Sequence, residues 1–219
     1  MAKNRVGLFG GTFNPIHSGH LKAAKDVQER LDLDEILFIP SYIPPHKDTE
    51  GVISPVHRLK MIELTVRSYP RFIPSAIEIE AKGKSYSILT LKKIKKLYPE
   101  ALIFFILGID AFLEIDTWKD YHQVLEQCYF VVISRPGAHL DDAKHVLNGR
   151  YQEKMYKLAE SEPVKDELLS SYRIFLLPID ALNITSTEIR EKTKKGEAIK
   201  SLVADEVDAY IRENRLYQK

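Results

Sequence analysis

The sequence is poor in sulfur: Cys128 is the single cysteine among 219 residues. An intramolecular disulfide is excluded, as is any zinc site built from several cysteines, and a reducing cytosol is the expected compartment. Long apolar runs are missing as well. The longest, from Ala101 to Ile109, falls far below the ~20 residues that cross a bilayer. Met1 to Arg5 lead straight into a short apolar segment and then glycines, without the continuous apolar stretch of a signal peptide. No membrane role is expected. An excess of one charge is also absent, since 32 Lys and Arg face 31 Asp and Glu for a net charge of +1. Nothing electrostatic points to nucleic acid, whereas small anions can still be held by local sites.

What is present is an ordinary globular composition, 44% hydrophobic, 10% aromatic and 29% charged. The length suits one domain over residues 1–219. Short β-branched or aromatic runs alternate with longer segments of helical period, as in a parallel sheet wrapped by crossover helices. The expected fold is α/β: a Rossmann-like, doubly wound parallel sheet in a single domain with a helical carboxyl-terminal part. Candidate strands cover 5–9, 35–39, 72–79, 101–107, 130–134 and 173–177. The helix after the first strand places Leu21, Ala24, Val27 and Leu31 on one face. A second opens at Ser54-Pro55, a capping serine with proline at the first helical position, and is expected to bury Val56, Leu59, Ile62 and Val66. A third follows Ser85-Tyr86-Ser87, its paired lysines at 92–93 and 95–96 on a solvated face. Residues 138–171, rich in charge, are read as a helical excursion.

The most informative stretch joins the first strand to the first helix: Gly10-Gly11-Thr12-Phe13-Asn14-Pro15-Ile16-His17-Ser18-Gly19-His20. Paired glycines let the backbone turn sharply and approach a ligand, and the helix beginning near Ser18 offers amide N–H groups and a positive dipole end to an anion. Two familiar phosphate motifs fail here. The glycine spacing is not G-x-G-x-x-G, which also disfavours a nicotinamide dehydrogenase, and Gly83-Lys84-Ser85 has Glu78 where a P-loop needs its first glycine. His17 and His20 can face one side of a helix start and donate to charge developing on a phosphoryl group. They could also be surface histidines or part of a metal site, but no third ligand is marked by spacing, so no protein metal ligand is assigned.

A second cluster, Ile184-Thr185-Ser186-Thr187-Glu188-Ile189-Arg190, opens a helix after the last strand. Thr185 with Glu188 fits a capping box. The hydroxyls at 186 and 187, with Arg190 one turn on, can also hold terminal phosphates at a helix amino end.

Together the two clusters resemble the nucleotidyltransferase superfamily marked by His-x-Gly-His, and specifically the bacterial nicotinate-nucleotide adenylyltransferases. Ile43-Pro44-Pro45-His46-Lys47, Gly108 with Asp110, Trp118-Lys119, Arg135-Pro136-Gly137 and the closing Leu202 to Tyr217 segment extend the likeness over nearly the whole chain. The resemblance implies adenylyl transfer from ATP to nicotinate mononucleotide, giving nicotinate adenine dinucleotide and pyrophosphate in NAD biosynthesis, with Mg²⁺ carried on ATP. It implies His17, His20 and Arg190 as catalytic residues. ATP would be bound by Gly10, Gly11, Thr12, Phe13, His17, Gly19, His20, Ile184, Ser186, Thr187 and Arg190. The acceptor would be bound by Thr12, Asn14, His46, Lys47, Tyr86, Ser87, Asp110, Trp118, Lys119 and Arg135, with Trp118 stacking on the pyridine ring. Four positions depart from the family pattern: Asn14 for aspartate, Ser87 for threonine, Thr185 for serine and Ala204 for proline. A sister enzyme using nicotinamide mononucleotide or phosphopantetheine, and a nucleotide sensor without turnover, stay open.

Overall fold

The computed structural model describes residues 3–44, 50–147 and 149–218. Its strands are β1 (Arg5–Gly11), β2 (Glu35–Pro40), β3 (Phe72–Pro74), β4 (Leu102–Gly108), β5 (Tyr129–Ile133), β6 (Met155–Lys157) and β7 (Ile174–Leu177). They form one seven-stranded parallel sheet in the order β3-β2-β1-β4-β5-β7-β6. β1 lies beside β4, with Arg5 opposite Leu102 and Phe9 opposite Ile106. The chain thus winds outward one way from β1 and the other way from β4, the doubly wound order expected. The helices are α1 (Ser18–Leu31), α2 (Pro55–Val66), α3 (Ile77–Ala81), α4 (Ser87–Leu97), α5 (Ile109–Phe112), α6 (Tyr121–Gln127), α7 (Ala143–Val146), α8 (Asp166–Ser171), α9 (Ser186–Lys194) and α10 (Asp205–Glu213). Among the described residues no helix is long and apolar enough to cross a membrane.

Two expectations about the strands are corrected. The third stops at Pro74, and the end of the expected strand, Ile77 to Ile79, lies in helix α3. Ile77-Glu78-Ile79-Glu80 alternates with a strand's period, but proline brings no N–H to a ladder. After it, Ser75 N–H makes one bond to Phe38 O, 2.9 Å, and the chain then coils with Glu78 and Glu80 in the first helical turn, where acidic groups suit the dipole. The excursion at 138–171 is only partly helical and carries the edge strand β6, whose Met155, Tyr156 and Lys157 stand opposite Ile174, Phe175 and Leu176 of β7. Three residues hold no legible period, so pairing alone makes them a strand.

The chain divides into two compact units: Met1–Phe9, Ala23–Ile36 and Tyr86–Ala181 in one, Gly10–Lys22, Leu37–Ser85 and Leu182–Lys219 in the other. In the first, Phe104, Ile106, Phe130, Val132, Phe175 and Leu176 are fully buried on the central strands, as parallel strands covered on both faces require. Gly7 belongs there because a Cβ would lie 2.9 Å from Leu33 and 3.0 Å from Ile36 and Ile106. Two arginines tie the excursion down: Arg30 donates to Glu162 O and Ala159 O, both at 2.7 Å, and Arg5 to Val164 O at 3.0 Å.

In the second unit, Ser54 caps α2 as expected, its hydroxyl accepting from Val56 N–H at 3.3 Å. The buried face of α2 differs from the expected one. Ile62 and Val66 are buried, but so are Arg58, Met61 and Thr65, while Val56 is 65% exposed and Leu59 half-buried. The reason is Arg58, which is 0% exposed. Its Nε donates to Ile53 O (3.1 Å), Nη1 to Thr12 O (2.7 Å) and Nη2 to Ser41 O (2.6 Å) and Tyr42 O (3.2 Å). Burial pulls its pKa below the usual arginine value, opposed by Tyr217 and Glu78. Satisfying four carbonyls turns this side of the helix inward. Arg58→Met, which keeps the stem and deletes the donors, is expected to lower unfolding free energy by about 3 kcal/mol or more in urea titration, because buried acceptors lose their partners. A loss below about 1 kcal/mol would remove Arg58 from this role.

Candidate active site

β1 ends at Gly11, whose carbonyl accepts from Ser41 N–H at 2.9 Å, and the chain then leaves the sheet. Phe13 turns it with φ 50°, and the Asn14-Pro15 peptide is cis. A Cβ on Gly11 would sit 3.2 Å from the Phe13 ring, so the glycine lets this ring fold back. Phe13 lies edge-on to His20, with ring centroids 5.0 Å apart, and 6.0 Å from Phe38. His17 is 3% exposed, its ring 3.7 Å from that of His20 between centroids. The expected convergence of the two imidazoles is present. Gly19 makes room for it, since a Cβ there would lie 3.0 Å from His17 Nδ1 and 3.1 Å from Cε1.

The amino end of α1 is less open than its sequence suggests. Ser18 N–H donates to Leu202 O at 2.8 Å, and His20 N–H to His17 O at 2.9 Å.

At α9, Thr185 caps the helix by accepting Glu188 N–H at 3.1 Å. Ile184 donates its N–H to Leu182 O at 2.9 Å just before the turn. Ser186 Oγ donates to Pro15 O at 2.8 Å, Arg190 Nη1 to Asn14 O at 2.9 Å, and Arg190 Nη2 to Thr187 Oγ1 at 3.1 Å. The two motifs that the sequence separates by more than 160 residues are thus directly hydrogen-bonded. Asn14 is 4% exposed: its Nδ2 donates to Gly51 O at 3.0 Å, and its Oδ1 accepts from Tyr217 Oη at 3.0 Å and Ile53 N–H at 3.3 Å.

The remaining described candidates belong to the other unit. Tyr86 precedes α4, which Ser87 begins, and its ring lies 4.9 Å from Lys119 Nζ. Trp118 is half-buried and meets Phe105 edge-on at 5.8 Å. Asp110, in the first turn of α5, has Oδ1 3.6 Å from Arg135 Nε. Both side chains cross above Gly108, where a Cβ would fall 2.3 Å from Asp110 Oδ1 and 2.7 Å from Arg135 Nε. His46 and Lys47 lie outside the described residues.

Two residues that shape the site were not singled out for it from sequence. Arg58 had one signal, its helical register with Met61, Ile62 and Thr65. Tyr217 had only its place in the closing segment. No group of three or more His, Cys, Asp or Glu side chains converges among the described residues.

Comparison with known proteins identifies the family. The cytidylyltransferase-like family model matches residues 8–192. A "Probable nicotinate-nucleotide adenylyltransferase" of Geotalea daltonii is 39% identical over 214 residues, covering 97% of this chain and 98% of its own. Another of that name, from Shewanella pealeana, is 36% identical over 98% of this chain and 96% of its own. Among solved structures, the Plasmodium falciparum nicotinic acid mononucleotide adenylyltransferase complexed with NaAD shares the fold with a TM-score of 0.70 at 19% identity, covering 98% of this chain and 97% of that one. With the family model matching residues 8–192 and such relatives covering the chain nearly from end to end, the chain belongs to the cytidylyltransferase-like nucleotidyltransferases, in the nicotinate-nucleotide adenylyltransferase family.

Proposed function

We propose that the chain, acting as one nucleotidyltransferase domain over residues 1–219 in the cytosol, joins MgATP to nicotinate mononucleotide and releases pyrophosphate in NAD biosynthesis. The observation that carries the reading is the bond of Arg190 and Ser186 to the loop that ends in His17 and His20. It joins the two groups that phosphoryl chemistry needs, one for the reacting phosphate and one for the departing ones. A 5′-phosphate oxygen of the acceptor attacks the α-phosphorus in line. The bond to the β-bridging oxygen breaks, and pyrophosphate leaves with that electron pair, so catalysis rests on position and charge.

In this reading His17 and His20 donate to the phosphoryl oxygens as charge builds, and Gly10, Gly11, Thr12, Phe13 and Gly19 form the close-fitting backbone around the nucleotide. Arg190, the Thr187 hydroxyl and the Ser186 and Thr187 N–H groups hold the β- and γ-phosphates at the start of α9, with Ile184 shaping the turn that leads into it. Mg²⁺ enters with ATP and is held largely by phosphate oxygens and water. On the acceptor side, Thr12 and Asn14 act through the loop they form, and His46 and Lys47 take the mononucleotide phosphate. Asp110, steered by Arg135, accepts from a ribose hydroxyl. Trp118 stacks on the pyridine ring, and backbone N–H groups near Tyr86-Ser87 and Trp118-Lys119 receive the carboxylate. Such neutral donors favour the acid over the amide.

The first test measures pyrophosphate release with MgATP and, separately, nicotinate mononucleotide, nicotinamide mononucleotide and phosphopantetheine. Fastest release with the nicotinate acceptor is the expected result, preference for another acceptor would change the substrate and keep the chemistry, and silence with all three would leave a nucleotide sensor. His20→Ala is expected to cut turnover by about a hundredfold or more while ATP binding persists; equal turnover would end its catalytic assignment. Gly19→Ala, which pushes on the His17 ring, is expected to lower turnover about tenfold to a hundredfold with little change in melting temperature, read in the same assay beside a thermal scan.

A further inference from the structure

The carboxyl-terminal tail supplies a residue that neither motif contains. Tyr217 follows α10, half-buried with φ 62°, and its hydroxyl donates to Asn14 Oδ1 at 3.0 Å. With Ile53 N–H on the same oxygen at 3.3 Å, both of its acceptor positions are filled. Nδ2 is turned toward Gly51 O, 3.0 Å away, so the carboxamide has one orientation that satisfies all its neighbours. An aspartate at 14 would place a second acceptor against that carbonyl, which accounts for an amide at this position of this chain. Burial pushes the Tyr217 phenol pKa up, with Arg190 and Arg58 opposing, so its oxygen stays a proton donor.

The consequence lies one residue away. The main-chain carbonyl of Asn14 holds Arg190 Nη1, and that of Pro15 holds Ser186 Oγ. We propose that Tyr217 is a positioning residue for the phosphate-holding end of the site: by fixing the Asn14 side chain it sets where the Asn14 and Pro15 carbonyls present themselves, and through them the aim of Arg190 and Ser186. The inference rests on the adenylyl-transfer reading only for which phosphates these groups meet.

The test compares the parent with Tyr217→Phe and Tyr210→Phe. Tyr210 is the control, because it lies on the same carboxyl-terminal segment and its hydroxyl bonds His57 Nδ1, at 2.8 Å, where that of Tyr217 bonds the loop. Each variant loses one tyrosine hydroxyl, so a purely structural role makes them alike. Binding of inorganic pyrophosphate is measured by calorimetry, and turnover with MgATP and nicotinate mononucleotide by initial rates, beside the melting temperature. Tyr217→Phe is expected to weaken pyrophosphate binding and lower turnover by about fivefold to tenfold, the factor one net hydrogen bond carries, while Tyr210→Phe matches the parent in both. Unchanged pyrophosphate affinity in Tyr217→Phe, equal losses in the two variants, or a parent that binds no pyrophosphate would overturn the proposal. A parent that binds pyrophosphate but turns over no acceptor would instead count against the adenylyl-transfer reading, and the binding comparison still decides Tyr217.

Discussion

A chain that leaves a parallel strand gives up the ladder that satisfied its carbonyls, and those groups must find other donors if they are to be buried. The loop after β1 lives under this constraint. Thr12 O is taken by Arg58 of α2, Asn14 O by Arg190 of α9, and Pro15 O by Ser186 at the start of α9. Three side chains from two helices replace the missing strand neighbour. His17 lies two residues beyond the last of these braced carbonyls.

The same constraint limits what the residues of α9 have left to offer. A guanidinium carries five N–H donors, and Arg190 spends two, on Asn14 O and Thr187 Oγ1. Three remain unspent. Ser186 has its hydroxyl proton committed to Pro15 O, so in this arrangement its side chain braces the loop. Those remaining donors lie on α9, the helix whose amino end favours negative charge through its dipole. The same arginine that keeps donors free also holds the loop, which couples the order of α9 to the order of the loop.

The buried strands were legible because long apolar runs such as 101–107 and 130–134 have few other uses in a chain of this composition. Their ends placed both motifs on loops where α/β sheets bind ligands. The capping roles of Ser54 and Thr185 were equally readable, being local chemistry between residues two or three apart. Legibility failed where a short segment's conformation was decided by distant partners. Ile77 to Ala81 alternates like a strand yet lies beyond Pro74, and Met155 to Lys157 becomes a strand only beside β7. The buried face of α2 was misread because hydrophobicity ranks arginine as exposed, whereas four carbonyls make Arg58 the most demanding interior group on that helix.

By itself, then, the sequence determined the α/β class, the two motifs and the starts of α1, α2, α4 and α9, since each depends on period or on chemistry within a few neighbouring residues. Only the tertiary structure decided that Arg58, Arg190, Ser186 and Tyr217 converge on one loop. Hydrogen bonds between residues as far apart as Asn14 and Tyr217 leave no periodic trace along the chain, because they are chosen by which buried acceptors the fold leaves without a partner.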